Sequence, residues 1–186
     1  MLVLAAAKEE LGDLDGEVVG IGPVIAAANA SAIIAARKPT GVVLIGTAGA
    51  YPGGPPVGIA ISSRTIGLSS GVAAMGLGYT PRPPATIEGC TKMMASLSVE
   101  PHNVLTTMAV TTDPTLCHRL SDGWTVEHLE AFGVAAACMS ADVPFIAVLG
   151  ISNEVGSDAH RQWLAHRDAA QYAARSAILP LLKTAE

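Results

Sequence analysis

The sequence predicts an α/β protein whose mostly parallel central sheet is covered by helices on both faces. Short apolar runs alternate along the chain with longer Ala-rich segments, which is typical of strands that alternate with helices. The apolar runs are continuous instead of alternating with polar residues, so we expect strands that are buried on both faces. No linker, repeat or low-complexity tract divides the chain, and we therefore expect a single domain over residues 1–186.

The first strand is predicted at Met1–Ala6, an apolar run that is followed closely by Lys8, Glu9 and Glu10. This run is too short to span a bilayer. Its charges also follow it, whereas a signal peptide carries positive charge ahead of the apolar run. We therefore expect a buried strand and no membrane partner.

The next elements are marked by proline and glycine as much as by hydrophobicity. Pro23 precedes an Ala-rich helix at Val24–Arg37, because proline is favoured at the first helical position, and Pro39 ends this helix. The segment Ser69–Thr86 shows no clear pattern. Four strands and one Gly- and Pro-rich loop are predicted in this half of the chain: strands at Glu17–Ile21, Val42–Ile45, Ile59–Ser62 and Arg64–Leu68, and the loop at Gly46–Pro56.

The second half of the chain contains the clearest helical pattern, at Glu127–Ala141. Its apolar residues fall near one helical face. A long final helix is predicted at Ala159–Leu182, with Pro180 tolerated only because it lies near the end. The other predicted elements are one helix and two strands: Ile87–Leu97, then Asn103–Val110 and Pro144–Gly150.

Composition narrows the class of function. The net charge is −5 with 11 Lys and Arg residues, which argues against a nucleic-acid partner because such proteins need a basic patch. Cys90, Cys117 and Cys138 are odd in number and lack the spacing of metal ligands. Reduced thiols in the cytoplasm are the interpretation that fits these cysteines best. We expect no metal and no cofactor.

Polar residues follow several of the predicted strands, where ligands bind in open α/β sheets. Glu9 and Glu10 follow the first strand, the loop segment Gly46–Tyr51 follows Val42–Ile45, and Asn153 follows the strand near the C-terminus. Glu130 lies early in the predicted helix, where the helix dipole favours a carboxylate. These positions are candidates for one shared site.

Each candidate also has a purely structural interpretation. Glu9 and Glu10 suit the start of a helix, and the small residues after Gly46 suit a tight turn. Asn153 suits a helix cap or a turn, and Glu130 a surface ion pair with arginine. His128 on its own suggests a helix-surface or interface residue. No single residue decides between these interpretations, so the joint placement matters more.

Four segments occur in an order that is specific in combination: AAAKEEL, VVGIGPVIAAANAS, VVLIGTAGAYPGG and EHLEAFGVAAACMSADVPFIAVLGISNEVG. On these segments the chain resembles the purine nucleoside phosphorylase and nucleosidase superfamily. It is most similar to the nucleosidase branch that includes methylthioadenosine nucleosidase and futalosine hydrolase. The resemblance covers most of the chain, and Gly67–Thr106 matches poorly. It implies a three-layer α/β/α fold with a mixed central sheet, hydrolysis of a purine nucleoside, and a homodimer or larger homo-oligomer.

The resemblance implies catalytic roles for two residues. Glu10 matches the acid that activates the attacking water, with Glu9 one register away as the alternative. Asn153 falls where relatives place an Asp or Asn that faces the purine N7. Glu130 matches the carboxylate that hydrogen-bonds the ribose hydroxyls, and Leu129 stands where relatives often have Met.

The resemblance also implies residues that line the substrate pocket. Thr47, Ala48 and Gly49 match the segment around the ribose and the water, and Val110 and Thr111 align loosely with the segment that contacts the base. Many nucleosidases stack the base on a Phe where this chain has Val110. Two aromatic residues are candidate replacements for that Phe: Tyr51 and Trp163.

Two features predict which purine base leaves and which nucleophile attacks. Asn153 cannot act as an acid, but its amide can accept from N7–H and donate to a 6-oxo group, which favours hypoxanthine or guanine as the leaving base. Futalosine, an intermediate of a menaquinone route, carries hypoxanthine. The phosphorylases of this superfamily hold phosphate with arginines, one of them just ahead of the small-residue loop. No basic residue lies from Thr40 through Tyr51 here, so the resemblance implies water as the nucleophile. The alternatives are a nucleoside phosphorylase, a methylthioadenosine/S-adenosylhomocysteine nucleosidase, and an inactive binding relative.

Overall fold

The computed structural model describes residues 1–82 and 85–183. Strands and helices follow one another in these ranges as β1 (Leu2–Ala5), α1 (Lys8–Leu11), β2 (Glu17–Val18), α2 (Pro23–Arg37), β3 (Val42–Ala50), β4 (Ala60–Leu68), α3 (Gly71–Ala74), β5 (Ile87–Glu88), α4 (Thr91–Met94), β6 (Pro101–Thr106), α5 (Pro114–Leu120), β7 (Val126–His128), α6 (Ala131–Ser140), β8 (Phe145–Glu154) and α7 (Ala159–Lys183).

Five of the strands close into a ring. β3 pairs in parallel with β8, β8 pairs antiparallel with β4, and β4 pairs in parallel with β6. β7 completes the ring, because it pairs in parallel with β6 and antiparallel with β3. β1 and β2 extend the sheet from β3, and β5 extends it from β4. The predicted mixed, mostly parallel α/β sheet is confirmed, and its closure is a feature that the sequence did not indicate.

Helices cover the two faces of the β1–β3–β8 region. Leu44 and Ala147 face a core that contains residues of α2 and α6. Their neighbours Val43 and Ile146 face the other side, where residues of α7 complete a second core. This alternation explains the continuously apolar runs Val42–Ile45 and Phe145–Leu149, because their side chains point in turn to one or the other helix-covered core. No helix among the described residues is both long and apolar enough to cross a bilayer.

The strongest local patterns are confirmed. The strand at Met1–Ala6, the helix at Val24–Arg37 and the final helix are present as β1, α2 and α7. The two strands predicted at Ile59–Ser62 and Arg64–Leu68 are one continuous strand, β4 (Ala60–Leu68), with an irregular register between Ser63 and Ile66 in its pairing with β6.

Two predicted boundaries close to the site are wrong. The loop predicted at Gly46–Pro56 begins too early, because β3 continues to Ala50 and is paired with β8 along its whole length. The helix predicted at Glu127–Ala141 begins only at Ala131. The residues before it form β7, a short buried strand that is held between β6 and β3. Both errors place residues of the site on strands instead of on a loop or a helix.

Smaller differences lie further away. Ile87 and Glu88 pair with β4 as β5, so the predicted Ile87–Leu97 helix is reduced to Thr91–Met94. The strand predicted at Asn103–Val110 ends at Thr106, and β8 continues past Gly150 to Glu154. In each case, pairing with a distant strand sets the boundary.

Candidate active site

A cavity of about 800 Å³ opens at the carboxyl ends of β1, β3, β7 and β8. This volume lies within the range of small-molecule sites, roughly 300–1,000 Å³. The first turns of α7 form one wall of the cavity. The predicted site residues that line it are Glu10, Thr47, Ala48, Gly49, Val110, Leu129, Glu130 and Asn153, and the alternative candidates Glu9 and Trp163 line it as well.

Glu10 is held by backbone N–H groups from two parts of the chain. Its Oε2 accepts from the N–H of Ala6 at 3.0 Å and of Ala7 at 3.3 Å, because the side chain folds back over the start of α1. Its Oε1 accepts from the N–H of Thr47 on β3 at 3.1 Å. Burial raises the pKa of this carboxyl above its ordinary value, although these N–H groups oppose the rise. Glu9, the alternative, is exposed.

Glu10 and His128 pack closely against the backbone of β3 at Gly46. A Cβ on Gly46 would lie 3.0 Å from Oε1 of Glu10 and 3.3 Å from Nε2 of His128. The missing side chain therefore lets a carboxylate and an imidazole approach the same point of the strand.

His128 is a buried residue at the end of β7, so the expectation of a helix-surface or interface residue is wrong. Its Nδ1 accepts from the N–H groups of Glu130 and Ala131, both at 3.1 Å, and the proton of the neutral ring is therefore assigned to Nε2. Burial lowers the pKa of His128 to about 4, so the ring is neutral at pH 7. The 3.4 Å approach of Nδ1 to Oε2 of Glu130 is consequently a contact between two acceptors and not an ion pair.

Glu130 lies just before α6 and is 5% exposed. Its Oε1 accepts from the N–H of Gly22 at 2.8 Å, at the positive end of α2. Burial raises the pKa of this carboxyl, and the Gly22 N–H opposes that rise. The structural interpretation of Glu130 as a partner of a surface arginine is therefore wrong, and Oε2 is left to face the cavity beside His128.

Asn153 lies on β8, six residues before α7 begins at Ala159, and therefore does not cap that helix. Its Nδ2 donates to the carbonyl oxygen of Glu154 at 3.0 Å, which fixes the orientation of the amide. Its Oδ1 accepts from the hydroxyl of Ser152 at 2.9 Å. One N–H and one lone pair of the amide remain for a ligand. The amide packs against Gly49, where a Cβ would lie 2.9 Å from Nδ2.

Sequence reasoning missed a third buried carboxylate, that of Glu127. It accepts from the hydroxyl of Tyr51 at 2.9 Å and from the N–H and hydroxyl of Thr111 at 2.9 and 2.6 Å. The Thr111 side chain is therefore occupied by its bond to Glu127 and does not line the cavity, whereas Thr112 does. Tyr51 is almost fully buried and is not available to stack on a base. The sequence offered no signal for this network, because Glu127 was assigned to a helix.

The wall of the cavity that α7 forms carries an aromatic residue, Trp163. Nε1 of Trp163 donates to Oγ1 of Thr47 at 3.2 Å, which ties α7 to β3. The indole stacks on the His160 ring at 5.8 Å, and the Arg167 guanidinium lies 4.9 Å from its centroid. Trp163, one of the two aromatic candidates, thus lies at the cavity, with a cation over its face.

Known proteins share this architecture. The 5′-methylthioadenosine/S-adenosylhomocysteine nucleosidase of Neisseria meningitidis, solved with methylthio-immucillin-A, has a TM-score of 0.85 at 18% identity, and the match covers 98% of each chain. The futalosine hydrolase of Helicobacter pylori, solved as a mutant, has a TM-score of 0.84 at 16% identity and covers 98% of this chain and 97% of that one. At these identities, both matches establish the fold.

Sequence similarity establishes more. The futalosine hydrolase of Thermus thermophilus is 32% identical over 160 residues, which span 77% of this chain and 71% of the relative. No protein-family model matches the chain. The fold, the cavity and this similarity define a purine nucleosidase, an enzyme that hydrolyses N-glycosidic bonds. The chain belongs to the futalosine hydrolase family.

Proposed function

We propose that the protein hydrolyses a 6-oxopurine nucleoside, with futalosine as its natural substrate and hypoxanthine as the released base. This reaction belongs to a route to menaquinone. One observation carries the proposal: Glu10, Glu130 and Asn153, each fixed by hydrogen bonds to its surroundings, face one cavity. The 32% identity to the futalosine hydrolase of Thermus thermophilus supports the choice of substrate.

Glu130 is suited to the sugar. Breaking the bond from C1′ to the purine places positive charge on the ribose, and a fixed carboxylate stabilises that charge without reorganising. Oε1 of Glu130 is occupied by Gly22, so the side chain is held in place while Oε2 is available to the ribose hydroxyls. Because the group is buried, its attraction for a developing cation is stronger than it would be in water.

Glu10 is suited to the water. A general base works best when its pKa approaches the working pH, and burial moves the pKa of Glu10 upward from the ordinary value. The Thr47 and Ala6 N–H groups fix the carboxylate at the carboxyl end of β1 and β3. Arg167 is the single Arg or Lys among the described residues that line the cavity, and it lies over Trp163 on α7. A single cation among the described lining residues, already placed over an aromatic ring, is a weak site for a phosphate dianion, so this arrangement supports water over phosphate.

Asn153 is suited to the base. Oδ1 can accept from N7–H as electrons move into the purine, and the second N–H of the amide can donate to a 6-oxo group. An adenine presents an amino group at that position, which places two donors face to face. The bond from Nδ2 to the Glu154 carbonyl keeps the amide from turning to suit adenine.

The proposal is tested by incubating the purified protein with futalosine, inosine and methylthioadenosine, each with and without phosphate, and separating the products by chromatography. We expect free hypoxanthine from futalosine and inosine at a rate that does not depend on phosphate. Ribose 1-phosphate and a phosphate-dependent rate would identify a phosphorylase. Preferential release of adenine from methylthioadenosine would identify a methylthioadenosine nucleosidase instead. No release from any of the three would support an inactive relative.

We also propose a homodimer or a larger homo-oligomer. Two apolar side chains that line the cavity are largely exposed, Ile21 at 69% and Val110 at 53%. Val24 and Met108, which lie within three positions of them in the sequence, are exposed as well. Apolar groups of this kind commonly become buried in a protein interface. Light scattering on the eluting protein measures the mass directly, and a monomer at micromolar concentration would contradict this proposal.

A further inference from the structure

His128 carries a hydrogen-bond donor that has no partner among the residues that the structure describes. The side chain is 5% exposed and lines the cavity, and Nδ1 is already engaged by the N–H groups of Glu130 and Ala131. No described residue accepts a hydrogen bond from Nε2–H. Because the ring is fixed by its Nδ1 bonds and lines the cavity, this donor is available to a ligand or a water there.

The space in front of this donor is shared with Glu10. Nε2 of His128 and Oε1 of Glu10 both lie close to the side of Gly46 where a Cβ would project, at 3.3 and 3.0 Å from that point. The two atoms therefore lie close enough to each other for a single oxygen atom between them to hydrogen-bond with both. Glu130 lies beside the other nitrogen of the same ring, with Oε2 3.4 Å from Nδ1.

We propose that His128 positions the attacking water, an inference that rests on the proposed nucleosidase function. Nε2–H donates to the water oxygen while the water donates to Oε1 of Glu10, so the second lone pair of the water is directed at C1′. The oxygen–C1′ bond forms as the bond from C1′ to the purine nitrogen breaks, and that electron pair enters the purine. The water proton passes to Glu10, and the departing purine takes one proton from solvent.

A merely structural role is the competing explanation, because Nδ1 caps the start of α6. Two substitutions separate the roles, since each keeps one half of the imidazole. In His128→Asn, the amide oxygen can replace Nδ1 as the cap, but nothing replaces Nε2–H. In His128→Gln, the amide N–H can replace Nε2–H, but the cap is lost. A structural role predicts that His128→Gln is the more damaging change, and a water-positioning role predicts the opposite for turnover.

The first measurement is inosine hydrolysis by both variants below their melting temperatures. We expect His128→Asn to melt near the wild type and to lose about a hundredfold in kcat, with KM changed by less than about threefold, as for loss of a positioned reacting group. His128→Gln should melt lower and yet retain kcat within about tenfold of the wild type. A wild-type kcat in His128→Asn, or equal losses in both variants, would overturn the inference.

A second measurement is independent of turnover. A high-resolution crystal structure of the free wild type should show a water within about 3.2 Å of both Nε2 of His128 and Oε1 of Glu10, and that water should be absent or displaced in His128→Asn. If the wild type hydrolyses no nucleoside, the proposed function fails while this measurement still decides whether His128 and Glu10 hold a water. If inosine is hydrolysed and no such water is present, the inference about His128 fails alone.

Discussion

The N–H of Gly22 donates to Oε1 of Glu130 at 2.8 Å, which joins the start of α2 to the start of α6. The segments GIGP, which contains Gly22, and HLEA, which contains Glu130, lie far apart in the sequence and together hold one carboxylate in place.

In Glu130→Gln, the amide oxygen can keep the Gly22 bond while the negative charge is removed. We expect kcat on inosine to fall by about 10²–10³-fold. The melting temperature should stay equal or rise, because a buried charge is costly. A kcat within threefold of the wild type would remove Glu130 from the mechanism.

The choice between the two neighbouring acids is tested by a matched pair. Glu10→Gln should lower kcat by about 10²–10⁴-fold, because the general base is lost. Glu9→Gln should leave kcat within about twofold, because the Glu9 side chain is exposed and, in the described structure, makes no hydrogen bond. Both variants are measured on inosine in the same buffer. A large loss in Glu9→Gln together with an active Glu10→Gln would reverse the assignment.

Asn153→Asp tests how the base is recognised. The substitution removes the donor to a 6-oxo group and supplies a group that can carry a proton for N7. We expect kcat/KM on inosine to fall by about a hundredfold, the equivalent of roughly 2–4 kcal/mol, and the ratio of adenosine to inosine activity to rise. The Glu154 carbonyl, which now accepts from Nδ2, favours the protonated acid at this position. An unchanged ratio would show that Asn153 does not contact the purine edge.

The buried imidazole makes stability depend on pH in a definite direction. Burial lowers the pKa of His128 from 6.5 to about 4, so between these values the unfolded chain binds more protons than the folded chain. Its contribution to the free energy of unfolding is therefore complete above pH 6.5 and is lost as the pH falls toward 4. Glu10 and Glu130, whose pKa values are raised by burial, act in the opposite direction.

The contribution of His128 is isolated by comparing the wild type with His128→Asn. The loss of melting temperature between pH 7.5 and 5 should be larger for the wild type, because the variant lacks the buried imidazole but keeps both carboxylates. The measurement is thermal unfolding of both proteins in buffers of equal ionic strength. Equal losses would show that His128 is accessible to protons in the folded state.

Sequence patterns predicted those parts of the fold that depend on local signals. Pro23 and an uninterrupted Ala-rich run are enough to define α2, and a continuous apolar run is enough to define β1. The rule that ligands bind beyond the carboxyl ends of strands pointed to Glu10 and Asn153, and the resemblance added Glu130; all three line one cavity. The expected roles of these residues in catalysis await the experiments above.

What the sequence did not predict depends on pairing between distant segments. Val126–His128 is too short to show a strand pattern, and the apolar spacing of α6 made it look like the start of a helix. The consequence was that Glu127 and His128 were not recognised as buried. Thr111 was expected at the substrate because the resemblance aligns it loosely with the segment that contacts the base, but its hydroxyl donates to Glu127, a partner 16 positions away. Such contacts carry no local signature.

The closed ring of strands also determines when, during synthesis, the edges of the strands become paired. β8 comes last among the strands and lies between β3 and β4, so both partners keep an unpaired edge until Phe145–Glu154 has been synthesised. Exposed edges of apolar strands are templates for aggregation, and pairings between distant segments form slowly. A ribosome-bound chain that ends before β8 should therefore be a strong client for chaperones, and release from them should coincide with the emergence of β8.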